Sequence, residues 1–262
     1  MLKIGICGAC GRMGQATLRV LLERGHVLGA AFEAENCPHM GKDAGFLTAV
    51  GNLNIAISQI NKKDAEMVDG IIDFSLPEAS KKLIRIAKEA GKPLVIGTTG
   101  FTDSEKKEIE ETSKHIPILM SPNMSLGVNL LFKLTEITAG ILKNDFDIEI
   151  FEAHHRFKKD APSGTAKRLL EIIKNSSPDL EKAQEKHGRI GDNEARGKNE
   201  IGIMSMRGGD IVGDHTVYFA GIGERLELTH RTSGRETLAR EQLQQWSFCL
   251  KKRTDCIICL MF

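Results

Sequence analysis

The sequence predicts an α/β protein in two parts: a parallel sheet covered by helices on both faces, then a flatter, strand-rich α+β region. Three observations carry this. The first half alternates short apolar runs with helical periodicity. A glycine-rich string opens the first helix directly after the first strand. Beyond about residue 145 the period changes to polar–apolar alternation and helices become scarce.

In order, Leu2–Cys7 reads as a strand, Met13–Leu22 as a helix and His26–Phe32 as a second strand. Val68–Phe74 is a strand, Pro77–Ala90 a helix opened by proline, and Pro93–Gly97 a strand. Thr102–His115 is a polar helix with acids before bases, and Ile116–Met120 a further strand. A longer amphipathic helix spans Ser125–Lys143. Asp147–Ala153, Glu200–Met206, His215–Ala220 and Arg225–His230 alternate as strands with one wet face do, and Ala166–Lys174 is a helix between them. Ser176–Asn199, rich in charge and glycine, reads as a long, mobile connection. The domain change is expected near Pro122–Ser125 and the return near Ser233, so that residues 1–124, 125–232 and 233–262 form first domain, second domain and return segment.

Composition narrows the function. The chain has 262 residues, enough for self-sufficient cores, and 36 Lys+Arg against 35 Asp+Glu leave no field that advertises a nucleic acid or membrane surface. No apolar run approaches the ~20 residues of a membrane helix, and the N-terminus enters a strand without a signal-peptide pattern. Six irregularly spaced cysteines make a poor disulfide framework and fit a reducing cytoplasm. One tyrosine and one tryptophan leave little for base stacking. A nucleotide-sensing regulator would need a basic DNA-reading helix, which the sequence lacks.

In GICGACGRMG, Gly8, Gly11 and Gly14 suit a tight turn, a close backbone approach to a pyrophosphate and close helix packing. Glu33 ends the second strand, where an acid would accept from ribose hydroxyls and repel a 2′-phosphate. The next residue is Ala34 and not arginine, which tilts the cofactor toward NADH over NADPH. GTTGF (Gly97–Phe101) and SPNMS (Ser121–Ser125) lie at carboxyl ends of strands of the same sheet, the edge where such sheets bind ligands.

EAHHRFKKDAPSGTA (Glu152–Ala166) is the second dense stretch. His154 and His155 leave a strand on opposite faces, so one projects into a cleft while the other fixes its wall. A histidine suits the proton side of a hydride reaction, and Lys158 adds a nearby positive charge. Ser163, Gly164 and Thr165 open a helix whose N–H groups, with the two hydroxyls, form a carboxylate cradle. A metal centre is the weaker reading, because adjacent strand histidines face apart and no third ligand presents itself. A dehydrogenase for another small anionic substrate, such as an amino-acid-derived aldehyde, stays open from these residues alone.

At this point the chain resembles the 4-hydroxy-tetrahydrodipicolinate reductase (dihydrodipicolinate reductase) family of bacterial lysine and diaminopimelate synthesis. The carriers are GACGRMG, IGTTGF, SPNMSLGVN, EAHHRFKKDAPSGTA, RGGDIVGDHTVYF and GERLELTHRTSGRETLAR, in order along most of the chain. The resemblance implies an N-terminal Rossmann dinucleotide-binding domain and a C-terminal α+β domain. The latter's mixed, largely antiparallel sheet would be open on one face and build a homotetramer. It implies NADH or NADPH reducing a small dicarboxylate, with His154 as proton donor/acceptor, Lys158 as second catalytic group and His155, Gly164 and Thr165 on the dicarboxylate. The cofactor side would use Gly8, Ala9, Cys10, Gly11, Arg12, Met13, Glu33, Gly97, Thr98, Thr99, Ser121, Pro122, Asn123 and Met124.

Three departures stand out. Ala34 stands where relatives often carry arginine, and Leu76 replaces a basic residue found in some of them. The third is the tail: the resemblance stops after Arg240, where relatives continue with an alanine-rich helix and end near Gly-Leu-Tyr-Asp-Met-x-Asp-Val. Reading the third base of each codon with the first two of the next permits four alanines across Glu241–Gln245. The same shift permits Lys-Asn-Gly-Leu-Tyr-Asn-Met-Phe-Asp-Val across Lys252–Met261, so the tail reads as a frameshift product. The alternative is a divergent helix with a Cys256-x-x-Cys259 redox or metal pair.

Overall fold

The computed structural model describes residues 1–121, 125–191, 195–234, 236–241, 243 and 257–258. The chain divides into two compact units, Met1–Met124 with a return from Arg235, and Ser125–Gly234.

The first unit is a parallel sheet. Its strands are β1 (Lys3–Cys7), β2 (Val27–Phe32), β3 (Ile57–Ser58), β4 (Gly70–Asp73), β5 (Leu94–Ile96), β6 (Ile118–Met120) and, from the tail, β12 (Ile257–Ile258). They lie in the order β12-β6-β5-β4-β1-β2-β3, every pairing parallel. β1 and β4 sit centrally, and apart from Asp73 at the end of β4 their buried positions are apolar, as a sheet covered on both faces requires. Two apolar cores follow: one holds Ile4, Ile6, Leu18 and Leu21, the other Phe32, Ile71, Leu83 and Leu94.

The helices are α1 (Arg12–Glu23), α2 (Lys62–Glu66), α3 (Pro77–Ala90) and α4 (Asp103–Ser113). Each starts and stops for a readable reason. Pro77 occupies the first turn of α3, and Gly91 at φ 64° closes it. Thr102 and Glu105 form a reciprocal capping box on α4. The short β3 and α2 have no counterpart in the sequence pattern; the loop before them is pinned by Asp43, whose carboxylate accepts from the N–H groups of Gly45, Leu53 and Ile55.

In the second unit α5 (Leu126–Leu142) leads into β7 (Asp147–His154), α6 (Gly164–Asn175), α7 (Pro178–Glu181), β8 (Gln184–His187), β9 (Glu200–Arg207), β10 (Gly213–Ala220) and β11 (Arg225–Thr232). The sheet order is β11-β10-β7-β9-β8. β10 runs antiparallel to β7 and β11, while β7, β9 and β8 are mutually parallel. The sheet is therefore mixed, with parallel and antiparallel pairings in equal number and not largely antiparallel. Alternation marks a one-sided strand whichever way its neighbour runs.

A second correction falls on Ser176–Asn199, which is no bare connection. Ser177 caps α7, Leu180 and Ala183 are buried, and Gln184–His187 adds an edge strand to β9. Charge there reflects an exposed edge, since all four residues of β8 face solvent.

Of the tail, Leu243 packs in the first core beside Ala239, and β12 pairs with β6. Apart from Glu241 and Leu243, the Glu241–Gln245 run lies outside the described residues, as do Lys251–Arg253, Cys256 and Cys259.

Candidate active site

The glycine loop of the first unit is built from main chain. Gly8, at φ +76°, donates its N–H to the Phe32 carbonyl at 2.9 Å, and a Cβ there would lie 2.6 Å from the Phe74 carbonyl oxygen. Gly14 sits on the first turn of α1, where a Cβ would lie 2.2 Å from the Gly8 oxygen. Gly11 is the N-cap of α1 and has no side chain to cap it, which leaves the helix start facing the loop. Ala9 is buried, Cys10 and Met13 half-buried, and Arg12 exposed.

Glu33 follows β2 and turns onto this loop: Oε1 accepts from the Cys10 N–H at 2.7 Å and Oε2 from the Ala34 N–H at 3.3 Å. Two backbone donors leave acceptor capacity on an ionised carboxylate. The other strand-end loops hang on the same sheet. Gly97 N–H donates to the Asp73 carbonyl at 2.9 Å, Thr98 Oγ1 to the Ser75 carbonyl at 3.2 Å, and Ser121 N–H to the Ile96 carbonyl at 3.2 Å. Thr99 is exposed; Pro122, Asn123 and Met124 lie outside the described residues.

In the second unit the last residue of β7 is His154, 9% exposed. Its Nδ1 lies 2.6 Å from Oε2 of Glu152, two residues earlier and so on the same strand face. Arg207 ends β9 in register with His154 and reaches Glu152 with both terminal nitrogens, at 2.9 and 2.8 Å. His215 on β10 stands opposite Glu152, and its ring meets that of His154 edge-on at 5.2 Å. Burial first, then the charge of His154, pushes His215 down to about 3, with Glu152 opposing.

The turn after β7 carries Lys158, whose Nζ pairs with Asp160 at 2.9 Å. His155 is half-buried, its ring tilted on Phe157 at 6.4 Å. Gly164 and Thr165 form the first turn of α6, and a Cβ on Gly164 would meet nothing within 4 Å.

Ser163 is the N-cap of α6. It is 2% exposed; its N–H donates to Glu152 Oε1 at 3.1 Å, and its hydroxyl accepts from Ala166 N–H while meeting His215 Nε2 at 3.0 Å. These contacts fix Ser163 at the start of α6, beside Glu152 and His215. Sequence reasoning passed over Glu152, Arg207 and His215. The i, i+2 spacing of Glu152 and His154 was a usable signal for the first, whereas the other two arrive through strand pairing. Among the described residues no group of three or more His, Cys, Asp or Glu is placed to hold a metal ion.

Comparison with known proteins agrees across the chain. Residues 2–124 match the family described as dihydrodipicolinate reductase, N-terminus, and residues 127–258 its C-terminus. A 4-hydroxy-tetrahydrodipicolinate reductase of Trichlorobacter lovleyi is 42% identical over 97% of this chain and 95% of its own. One from Aromatoleum aromaticum is 45% identical over 94% and 90%. The fold is shared with a dipicolinate-bound dihydrodipicolinate reductase from Paenisporosarcina, at TM-score 0.73 and 21% identity over 98% of this chain and 97% of that one. The chain belongs to the dihydrodipicolinate reductase family.

Proposed function

We propose that this chain reduces 4-hydroxy-tetrahydrodipicolinate to tetrahydrodipicolinate in lysine and diaminopimelate synthesis, with His154 giving the proton. The observation that carries the role of His154 is its place on the second unit: a nearly buried imidazole at a strand end, with a lysine and a helix start on the segment that follows. A nicotinamide cofactor fits the first unit, because Gly8 and Gly14 leave no room for a Cβ and Glu33 is fixed on the loop. When bound, it supplies the hydride. The chain's own groups do the rest. His154 holds a proton for the reduced substrate, Lys158 offsets carboxylate charge, and His155 with the first turn of α6, Gly164 and Thr165, binds the dicarboxylate.

His154→Gln is expected to leave NADH affinity intact and lower turnover by roughly 10²–10⁴-fold, the usual share of acid–base catalysis. Lys158→Ala should lower turnover and raise the substrate KM together. The assay is substrate-dependent NADH oxidation; near-wild-type turnover in either variant removes that residue from its role, and oxidation with an aldehyde substrate alone would replace the reaction.

Cofactor choice follows from Glu33 and Ala34: NADH should serve at least as well as NADPH. A kcat/KM about tenfold higher with NADPH would overturn this. We further propose a cytoplasmic homotetramer. Leu126, Leu130, Leu134, Ile137 and Ile141 form an exposed apolar stripe on α5, and Met204, Met206 and Leu226 are exposed on the sheet strands. Light scattering that reports a monomer would sink that assembly. No helix among the described residues is long and apolar enough to cross a membrane. We assign residues 1–124 with 233–262 to cofactor binding and 125–232 to substrate binding and assembly, the segment after Arg240 being out of frame. A chain with the restored frame should melt higher; equal midpoints would make the tail a tolerated variant.

A further inference from the structure

Glu152 is completely buried, yet both its oxygens are fully engaged. Oε2 meets His154 Nδ1 at 2.6 Å and Arg207 Nη1 at 2.9 Å; Oε1 meets Arg207 Nη2 at 2.8 Å and the Ser163 N–H at 3.1 Å. Burial alone would push this carboxyl up. Hydrogen bonds from His154, Arg207 and Ser205 outweigh it and hold the group well below the usual carboxylate range. An ionised carboxylate has no proton to give, so the proton in the short contact belongs to His154 Nδ1. That leaves Nε2 as the ring nitrogen that gains and loses a proton.

The surroundings of the ring agree. Nε2 lies beside Gly213, at 3.2 Å from where a Cβ would stand. The neighbouring His215 stays neutral near pH 7 and cannot substitute as the acid. The other charged or titratable groups facing this pair are Lys158 and Asp160 from the turn after β7, Arg207 from β9 and His230 from β11.

We propose that Glu152, clamped by Arg207, is a positioning residue for the reduction: it fixes His154 as the Nδ1–H form and so makes Nε2 the proton-delivering atom. The proposal rests on His154 being the proton donor. Net reduction adds a hydride and a proton and releases the 4-hydroxyl as water. The proton passes from Nε2 of the imidazolium to the substrate, so that N–H bond breaks as the new bond to the substrate forms, and the neutral ring stays bound to Glu152 through Nδ1–H. Arg207 keeps the carboxylate from taking that proton itself, as a carboxylate in so dry a site otherwise would.

The test is a double-mutant cycle on the whole enzyme, with Glu152→Gln, His154→Gln and the pair. A carboxamide can donate to Nδ1 and favour the wrong tautomer, so Glu152→Gln should lower kcat by about 10- to 10³-fold. It should also move the pH limb of kcat and leave NADH affinity unchanged. If Glu152 acts through His154, the double variant is no slower than His154→Gln alone, within about twofold. Multiplying losses, or an unmoved pH limb, would overturn the positioning role. Full turnover in His154→Gln would instead remove the donor, an outcome visible without reference to Glu152. Nitrogen-15 imidazole spectra of the wild-type enzyme give a second reading that needs no stable Glu152 variant. The His154 signals, identified by their loss in His154→Gln, should show the neutral ring protonated at Nδ1, and an Nε2–H ring would refute the proposal.

Discussion

The candidate cofactor site of the first unit and the histidine cluster of the second are built from different materials. Around Gly8, Gly11 and Gly14 the loop is shaped by main chain and a helix start, and side chains matter by their absence. Around His154 side chains dominate: a buried carboxylate, one guanidinium that reaches both of its oxygens and a second imidazole edge-on. Main-chain sites are rigid because the fold holds them, and they fail when volume is added. Side-chain sites are held by charge pairing and fail when charge is changed. The two units should therefore break differently.

The largest expected effect tests volume in the first unit. Gly14→Ala puts a methyl 2.2 Å from the Gly8 oxygen and 2.8 Å from the Ala9 Cα, both main chain that cannot rotate away. A loss of about 3 kcal/mol or more is expected, since overpacking against fixed atoms has no cheap relaxation. At Gly11 the same methyl would lie 3.2 Å from the Gly8 oxygen, which small shifts relieve. Gly11→Ala should keep its melting temperature and lose NADH affinity instead. Equal midpoints for the two variants would erase the distinction between packing glycine and approach glycine.

How far each site could be read in advance follows from the same contrast. The glycine loop is local: strand, glycines and helix lie within twenty residues, and Glu33 comes at the end of the next strand, so pattern alone locates them. His154 and Lys158 are local in the same way, both lying within one short segment. Arg207 and His215 were not, because they reach Glu152 only after β9 and β10 pair with β7, and register between distant strands leaves no local trace. Ser163 was legible as an N-cap, but its contact with His215 was not, because that too forms only once β10 pairs with β7. The parallel share of the second sheet and the edge strand β8 escaped for a related reason: alternation reports which face is wet, not which strand is the neighbour.

An intermediate effect tests charge in the second unit. His215 has its folded pKa pushed down to about 3, so between there and the unfolded value near ~6.5 the unfolded chain binds a proton that the folded chain refuses. Stability should therefore be full above that upper value and fall as the pH drops, by up to about 1.4 kcal/mol per pH unit. Glu152 adds a loss in the same direction, but only below its unfolded value of ~4.3. Thermal melting between pH 7 and pH 5 thus isolates the histidine. His215→Asn should flatten that slope even if it starts from a lower midpoint, and an unchanged slope would mean His215 is not the neutral partner described.

The smallest expected effect asks whether volume can matter in the charge-built site too. Gly213 lies at the start of β10 without a positive φ, so its conformation suits any residue and only space argues for glycine. An added Cβ would stand 3.2 Å from His154 Nε2 and 3.5 Å from Cδ2, close enough to press on the nitrogen assigned to proton delivery. His154 is anchored at Nδ1 by Glu152, so the ring can give only by tilting about that hydrogen bond. Gly213→Ala should accordingly leave NADH affinity and the melting temperature close to wild type. The crowding, of roughly 1 kcal/mol, should appear as a fall in kcat of about fivefold. If Nδ1 faced the substrate instead, with Nε2 turned to the wall, the methyl would touch only the idle edge of the ring and kcat would not change.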